Sequence, residues 1–231
     1  PAYISFMPAN SFTALRYWQL GEDDPGAADG VTGNATTMAR FKDGATSPGN
    51  SLTRQGSPSY TAVDGSYGSV LAMSFKGSTD GYISDLLDGA PDNFGVEARV
   101  KSNGVSGPQV VAYHGTMAFN GFGILIDDAG HPGSLTYRVV YGGVTNVDTG
   151  VAVTPGTWQD VALVRDQGAT KLFVDAALVY NSSIAAPNFA LDEPLGIGQD
   201  PQAASNFYSG ALDDVRFFFF NAGTFSAQDL A

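Results

Sequence analysis

Cysteine is missing from all 231 residues of this chain, and charged side chains make up only 15% of it. Disulfide bonds, thiolate metal sites and cysteine nucleophiles are therefore excluded. Positive charge is especially scarce: 11 lysines and arginines stand against 23 aspartates and glutamates, for a net charge of −12. Such a surface repels phosphate, which excludes nucleic acid and anionic membranes as partners. No stretch approaches the ~20 apolar residues of a membrane-spanning helix.

Long helical patterns are also missing, whereas short β-strand patterns recur along the chain. Residues 94–101 alternate apolar and polar side chains with period two, as a strand with one solvent-facing side does. Runs of β-branched and aromatic residues follow at 123–126, 135–141 and 158–165. The 29 glycines and 12 prolines supply the turns between such runs. We therefore predict an all-β chain, built as a sandwich, jelly roll or barrel.

An ordered set of motifs narrows this choice. The set consists of Tyr17–Glu22, Ala72–Gly77, Gly156–Trp158, Val161–Val164, Lys171–Asp175, Pro194–Gly198 and Gly210–Arg216. It resembles the laminin-G-like, concanavalin A-like jelly-roll domains of bacterial secreted proteins. The resemblance implies an antiparallel two-sheet β-sandwich at residues 15–231, with residues 1–14 as an N-terminal arm or first edge strand. We expect Trp158 between the sheets and the strand at 213–220 beside the first strand near Trp18.

The acidic residues raise the question of calcium. Concanavalin A-like glucanases hold a structural calcium ion on the convex side, and the resemblance assigns this role to Glu22, Asp213 and the Gly30 carbonyl. Calcium takes six to eight oxygen ligands of these kinds. In the alternative interpretation, the same acids only cap turns and keep loops soluble. The spacing of an EF-hand loop is absent, so any calcium ion would stabilise the fold rather than act as a sensor.

Catalytic motifs are lacking. Hydrolysis of a glycosidic bond needs two carboxylates, which glucanases of this fold carry, by the resemblance, in a Glu-x-Asp-x-Glu motif. The three glutamates, Glu22, Glu97 and Glu193, do not form it. Glu97 is better explained by an ion pair on an outer face, and His114 and His131 have no supporting pattern for lyase chemistry. We therefore predict that the chain is not an enzyme.

Aromatic residues near loops are the candidates for ligand contact, because such folds bind sugars by stacking and by hydrogen bonds. The candidates are Tyr60, Tyr67, Tyr113, Tyr141 and Tyr208. Tyrosine is also common at sheet edges and in protein interfaces, which leaves a structural alternative open. Together with the composition, the resemblance predicts a secreted, extracellular, non-catalytic module for binding or adhesion. Its partner is a glycan or an extracellular protein, and calcium stabilises it.

Four consecutive phenylalanines, Phe217–Phe220, allow a second interpretation. A strand points alternate residues to opposite faces, so Phe218 and Phe220 are expected outside the core. They can be covered by the same chain, for example by the apolar N-terminal residues Tyr3, Ile4 and Phe6, or by a second subunit. In the second case these residues form an assembly surface. The alternative function is then a self-assembling structural subunit of an extracellular filament, sheath or surface layer.

Overall fold

Two antiparallel β-sheets make up the architecture. The computed structural model describes residues 12–21, 24–33, 52–63, 69–87, 92–190, 193–227 and 230, without the side chains of 12–15 and 85–87. The eight-stranded sheet contains β1 (Phe12–Trp18), β3 (Ser59–Ala62), β4 (Leu71–Lys76), β6 (Phe94–Ser102), β11 (Gln159–Asp166), β12 (Ala169–Val174), β13 (Ala177–Ser183) and β15 (Ser209–Phe220). The seven-stranded sheet contains β2 (Leu52–Gln55), β5 (Gly81–Leu87), β7 (Gln109–His114), β8 (Phe122–Asp127), β9 (Thr136–Tyr141), β10 (Thr145–Ala152) and β14 (Glu193–Ile197).

The strand order confirms the predicted fold class. The eight-stranded sheet runs β13-β12-β11-β6-β15-β4-β3, with β1 also paired to β15, and the other sheet runs β10-β9-β8-β7-β14-β5-β2. Trp18 of β1 pairs with Val215 of β15, so the long closing strand lies beside the first strand as expected. In the part of the chain described above, no helix is long and apolar enough to span a membrane.

The hydrophobic core lies between the two sheets, because alternate residues of each strand point inward. Phe94 of β6 and Phe122 of β8 stack across the gap with ring centroids 3.9 Å apart. Trp18 is fully buried in the same cluster. Each such ring stabilises the fold by roughly 1.5–3 kcal/mol relative to exposure, so these aromatic residues fix how the sheets face each other.

The position of Trp158 differs from the expectation. Its ring lies under the guanidinium group of Arg99, 4.9 Å from ring centroid to Cζ. Arg99 pairs with Asp160 on the outer face of the eight-stranded sheet. Residue 158 has the same parity as residue 160, so alternation sends both side chains outward. Trp18, not Trp158, is the tryptophan of the core.

The outer phenylalanines are covered within the chain. Phe218 and Phe220 are buried and pack with Ala162, Val164 and Phe173 on the outer face of the eight-stranded sheet. The ring of Phe225, from the segment after β15, lies 5.4 Å from that of Phe220. These two rings are therefore not exposed for assembly as they stand. Tyr3, Ile4 and Phe6 lie outside the described residues, and self-association stays a prediction.

Candidate functional site

The tyrosines predicted to contact a sugar are buried. Tyr60, Tyr113, Tyr141 and Tyr208 are at most 3% exposed, and Tyr67 lies outside the described residues. The Tyr60 hydroxyl donates to Asp24 Oδ2 at 2.6 Å, and the Tyr113 hydroxyl donates to the Asn120 carbonyl at 2.9 Å. Burial raises the pKa of Tyr141 to about 12. No face of these four rings is open to a ligand, so stacking on them would require an opening that the structure does not show.

Gly30 and Asp213, two of the three predicted calcium ligands, are not brought together. The N–H of Gly30 donates to the Tyr60 carbonyl at the free edge of β3, whereas Asp213 is fully buried in β15. Because β3 and β4 lie between them at ~4.8 Å per strand, Gly30 and Asp213 are roughly 14 Å apart. One ion with ligands at about 2.3–2.6 Å cannot span that distance. Glu22 is not among the described residues, and those that are form no group of three His, Asp or Glu side chains suited to a metal.

The residues considered for catalysis lie apart from one another. Glu97 accepts a 2.7 Å hydrogen bond from Arg216 Nε, which confirms its outer-face ion pair. His114 is buried, with its ring 5.5 Å from that of Phe122. His131 lies in the β8–β9 loop, where its Nε2 is 2.9 Å from Asp148 Oδ2. The two histidines therefore do not form a joint site.

An exposed aromatic ring marks one end of the sandwich. Phe119, in the loop between β7 and β8, is 71% exposed, more than any other large apolar side chain that the structure describes. The β9–β10 loop and the segment leading into β14 flank it through contacts with its backbone. We call residues 115–121, 142–144, 188–190 and 193–194 together the Phe119 rim.

Two glycines allow the loops of the Phe119 rim to interlock. A Cβ atom on Gly142 would lie 2.1 Å from the Asn120 carbonyl oxygen. A Cβ atom on Gly143, which has φ of +70°, would lie 2.3 Å from the Phe119 carbonyl oxygen. Only glycine tolerates both the left-handed backbone and an approach this close. The sequence Gly142-Gly143 thus fixes the loop that carries Phe119 against the β9–β10 turn.

Hydrogen bonds hold the same loop from the other side. Glu193 Oε1 accepts from Asn120 Nδ2 at 2.9 Å, and its Oε2 accepts from Thr116 Oγ1 at 3.3 Å. Asn188 Nδ2 donates to the Phe119 backbone carbonyl at 3.1 Å, and the Asn188 backbone carbonyl accepts from the Gly121 N–H at 2.8 Å. The exposed ring therefore stands on a fixed backbone. A site ordered in advance loses less conformational entropy on binding.

The Phe119 rim combines the groups that recognise a sugar. An exposed phenyl face can cover the apolar C–H face of a sugar ring. Glu193 is partly exposed, so its carboxylate can accept further charge-assisted hydrogen bonds from hydroxyl groups. Val144, 37% exposed, adds apolar surface in the same rim. Sequence reasoning missed Phe119, although the Asn120-Gly121 turn signal directly after it indicates an aromatic residue in a loop.

A small cavity lies at the opposite end of the sandwich. Its volume is about 100 Å³, and it is lined by Gly104, Ser106, Asp128, Gly133, Ser134, Leu135, Val153 and Pro155. The N–H of Gly107 donates to Asp128 Oδ1 at 2.9 Å and holds the pKa of that carboxyl below its usual range. Ligand pockets usually measure ~300–1,000 Å³, so this cavity is too small for a sugar ring. The Phe119 rim is the stronger candidate.

Comparison with known families gives one match that covers most of the chain. The model described as Concanavalin A-like lectin/glucanases superfamily matches residues 75–222. The matched segment includes β6 to β15 and all of the Phe119 rim. Comparison with curated proteins finds no match.

Solved structures share the fold at low sequence identity. Domain 4 of AbnA, a GH43 extracellular arabinanase from Geobacillus stearothermophilus in complex with arabinotriose, is 14% identical with a TM-score of 0.62, over 96% of this chain and 100% of that one. Trypanosoma rangeli sialidase in complex with 2,3-difluoro-KDN is 12% identical with a TM-score of 0.56, over 93% of this chain and 31% of that one. The enzymatically active domain of bacteriophage CBA120 tailspike protein 2 is 16% identical with a TM-score of 0.58, over 80% and 31%.

These structures contradict the prediction that the chain is not an enzyme. The arabinanase is a GH43 enzyme, the tailspike structure is of an enzymatically active domain, and the sialidase has been solved as a covalent intermediate. The fold therefore occurs in enzymes that act on glycans as well as in lectins. The missing Glu-x-Asp-x-Glu motif is not sufficient to exclude activity, since it describes only the glucanases of this fold.

Proposed function

Because the chain belongs to the concanavalin A-like lectin/glucanase superfamily, we propose that it binds carbohydrate, and that it does so at the Phe119 rim. The observation that carries the proposal is the Phe119 ring, which is 71% exposed yet mounted on a hydrogen-bonded loop beside a carboxylate. The apolar surface of a phenyl ring exposed in this way is in contact with water. A sugar that covers the ring removes this surface from water, which favours binding.

The named relatives support carbohydrate as the ligand class. The arabinanase domain was solved with arabinotriose and corresponds to this chain along its whole length. The sialidase was solved with sialic acid, but this chain spans only about a third of that protein. We take arabinotriose as the first probe for this reason. Sialylated and other glycans follow on an array.

Replacing Phe119 with alanine tests the proposal. Burial of a phenyl ring contributes ~1.5–3 kcal/mol, so Phe119→Ala is expected to weaken glycan binding by about 10- to 100-fold. Isothermal titration calorimetry with arabinotriose, or with the best glycan of the array, measures the change. Val105→Ala is the matched control, because Val105 is 50% exposed in the β6–β7 loop at the opposite end.

Equal affinities of wild type and Phe119→Ala would overturn the proposal, as would the absence of binding to any glycan. Release of reducing sugar is measured on the same glycans, because enzymes share this fold. A glycan that is both bound and cleaved would extend the proposed function from recognition to hydrolysis.

We also propose that the chain works outside the cell, on glycans or extracellular proteins. The support is compositional: few lysines, many glycine, serine, threonine and asparagine residues, and an acidic balance of charge. Stabilisation by calcium stays a prediction as well. Melting temperatures that are equal with EDTA and with added calcium would contradict it.

A further inference from the structure

We propose that the Phe119 rim selects uncharged glycans over acidic ones, and that Glu193 determines this selectivity. The inference rests on the proposed function of the same rim and names its ligand class. The observation behind it is the distribution of charge among the described residues: a carboxylate lies inside the rim, and Arg165 and Lys171 are paired with aspartates.

Glu193 brings a negative charge that its neighbours do not cancel. Its two carboxylate oxygens accept hydrogen bonds from Asn120 and Thr116, which are both neutral. The rim segments 115–121, 142–144, 188–190 and 193–194 contain no lysine or arginine. Hydrogen bonds from neutral groups orient the carboxylate without removing its charge. A ligand at Phe119 therefore meets a negative site.

Two cationic side chains in the described part of the chain, Arg165 and Lys171, form ion pairs with aspartates. Arg165 lies over the Tyr141 ring, next to the 142–144 loop, but it is 5% exposed and its Nε is 3.3 Å from Asp92 Oδ1. Lys171 Nζ is 3.1 Å from Asp166 Oδ2. Neither side chain is placed to receive the carboxylate of an acidic sugar. The net charge of −12 adds a long-range repulsion of the same sign.

Whether Glu193 favours or opposes binding depends on the charge of the ligand. A sugar hydroxyl can donate a charge-assisted hydrogen bond to the carboxylate. An ionised sugar carboxylate has no proton to donate and brings a second negative charge to the same place. The same residue thus favours neutral glycans and opposes acidic ones.

Three forms of one oligosaccharide test the inference. They are arabinotriose, arabinotriose with its terminal primary hydroxyl oxidised to a carboxylate, and the methyl ester of that acid. The acid and its ester have nearly the same size and differ in charge. At low ionic strength, calorimetry on the wild type is expected to give arabinotriose and the ester similar affinities. The acid is expected to bind at least about tenfold more weakly.

Glu193→Gln tests the residue. A glutamine can still accept from Asn120 through Oε1 and can donate to Thr116 Oγ1 through Nε2, so the loop keeps its supports. The difference between acid and ester is expected to narrow to about threefold or less in this variant. In Val105→Ala, at the opposite end, the full difference is expected to remain.

The outcomes separate the two proposals. If the acid binds as tightly as its ester while Phe119→Ala still weakens both, carbohydrate binding at the rim stands and the charge selectivity is overturned. If the difference persists unchanged in Glu193→Gln, Glu193 is not its source. If neither the three forms nor any other neutral glycan binds at Phe119, the proposed function fails, and the selectivity fails with it.

Discussion

Phe119 and Glu193 acquire their roles from the residues that surround them. Phe119 lies on a loop whose backbone contacts the β9–β10 turn, which Gly142 and Gly143 make possible. Glu193 is oriented by Asn120 and Thr116, more than 70 residues earlier in the chain. Such contacts depend on the packed sheets. Neither residue therefore stands in a motif that could be read from the sequence alone.

Gly142→Ala is expected to disorganise the Phe119 rim. The added methyl group would lie 2.1 Å from the Asn120 carbonyl oxygen, so the loops must separate. Overpacking of this kind costs ~1–3 kcal/mol, measurable by urea unfolding, and glycan affinity is expected to fall as well. Gly150→Ala is the control for glycan affinity: a Cβ atom there meets nothing within 4 Å, and since its φ is +69° the variant carries only left-handed backbone strain. It is expected to lose stability and to keep its glycan affinity. Unchanged glycan affinity in Gly142→Ala would contradict the role of this contact.

Tyr141 is expected to make the fold sensitive to alkali. Burial raises its pKa to about 12 from the ordinary 10, despite the opposing effects of Thr170 and Arg165. The unfolded chain therefore loses this proton first, and the free energy of unfolding falls as the pH rises from 10 to 12. This loss is on the order of a few kcal/mol.

Tyr141→Phe removes the titrating group, so the free energy of unfolding of this variant should fall less over the same pH range. Urea unfolding at a series of pH values measures both proteins. A variant that loses stability as steeply as the wild type would show that Tyr141 does not contribute to the loss. Comparison of the two proteins is needed because other tyrosines are also buried.

Among the elements, the β12–β13 hairpin has a strained turn. Its two turn residues are Asp175 and Ala176, with no glycine between the strands. Asp175 and Ala176 both adopt the left-handed region, with φ of 50° and 62°. Alanine is strained there by roughly 1–2 kcal/mol. This strain is larger than the additional free energy that it costs to order the more flexible backbone of a glycine on folding.

Ala176→Gly is therefore expected to stabilise the protein by about 0.5–1 kcal/mol. Ala177→Gly is the matched control, because residue 177 begins β13 and glycine in a strand destabilises it by roughly 0.5–1 kcal/mol. Thermal or urea unfolding of the two variants should give changes of opposite sign. Changes of the same sign would contradict the account of the turn.

The elements were predictable from sequence to the extent that local patterns determine them. Alternation along β6 and the apolar run of β15 fix strands whose side chains must face a core. The same alternation, counted back from Asp160, places Trp158 outside. The buried tyrosines were harder to assign, because Tyr113 is the last residue but one of β7 and Tyr141 ends β9, both close to glycine-containing loops. Whether such a ring lies inside or outside depends on the loops that cover it.

At the scale of the whole molecule, charge is distributed unevenly. Arg99, Arg138, Arg165, Lys171 and Arg216 each lie within 4.0 Å of an aspartate or glutamate oxygen. These pairs neutralise positive charge within the fold and leave the excess of acids to set the outer field. Long-range attraction of neutral glycans is then absent, and affinity depends on contacts at the rim.

The affinity for arabinotriose is therefore expected to change less than about twofold between low and physiological ionic strength. Binding of its carboxylated form should strengthen as salt is added, because screening weakens the repulsion. Calorimetry at several salt concentrations measures both. A strong loss of arabinotriose affinity with salt would contradict a rim that recognises uncharged glycans.

Chemical-shift mapping by NMR tests the central claim, carbohydrate binding at the Phe119 rim, most directly. On titration with arabinotriose, or with the best neutral glycan of the array, amide shifts are expected to change at residues 115–121, 142–144 and 193, and to stay unchanged in Phe119→Ala. Changes confined to the opposite end, around residues 103–108 and 128–135, would contradict the assignment of the site.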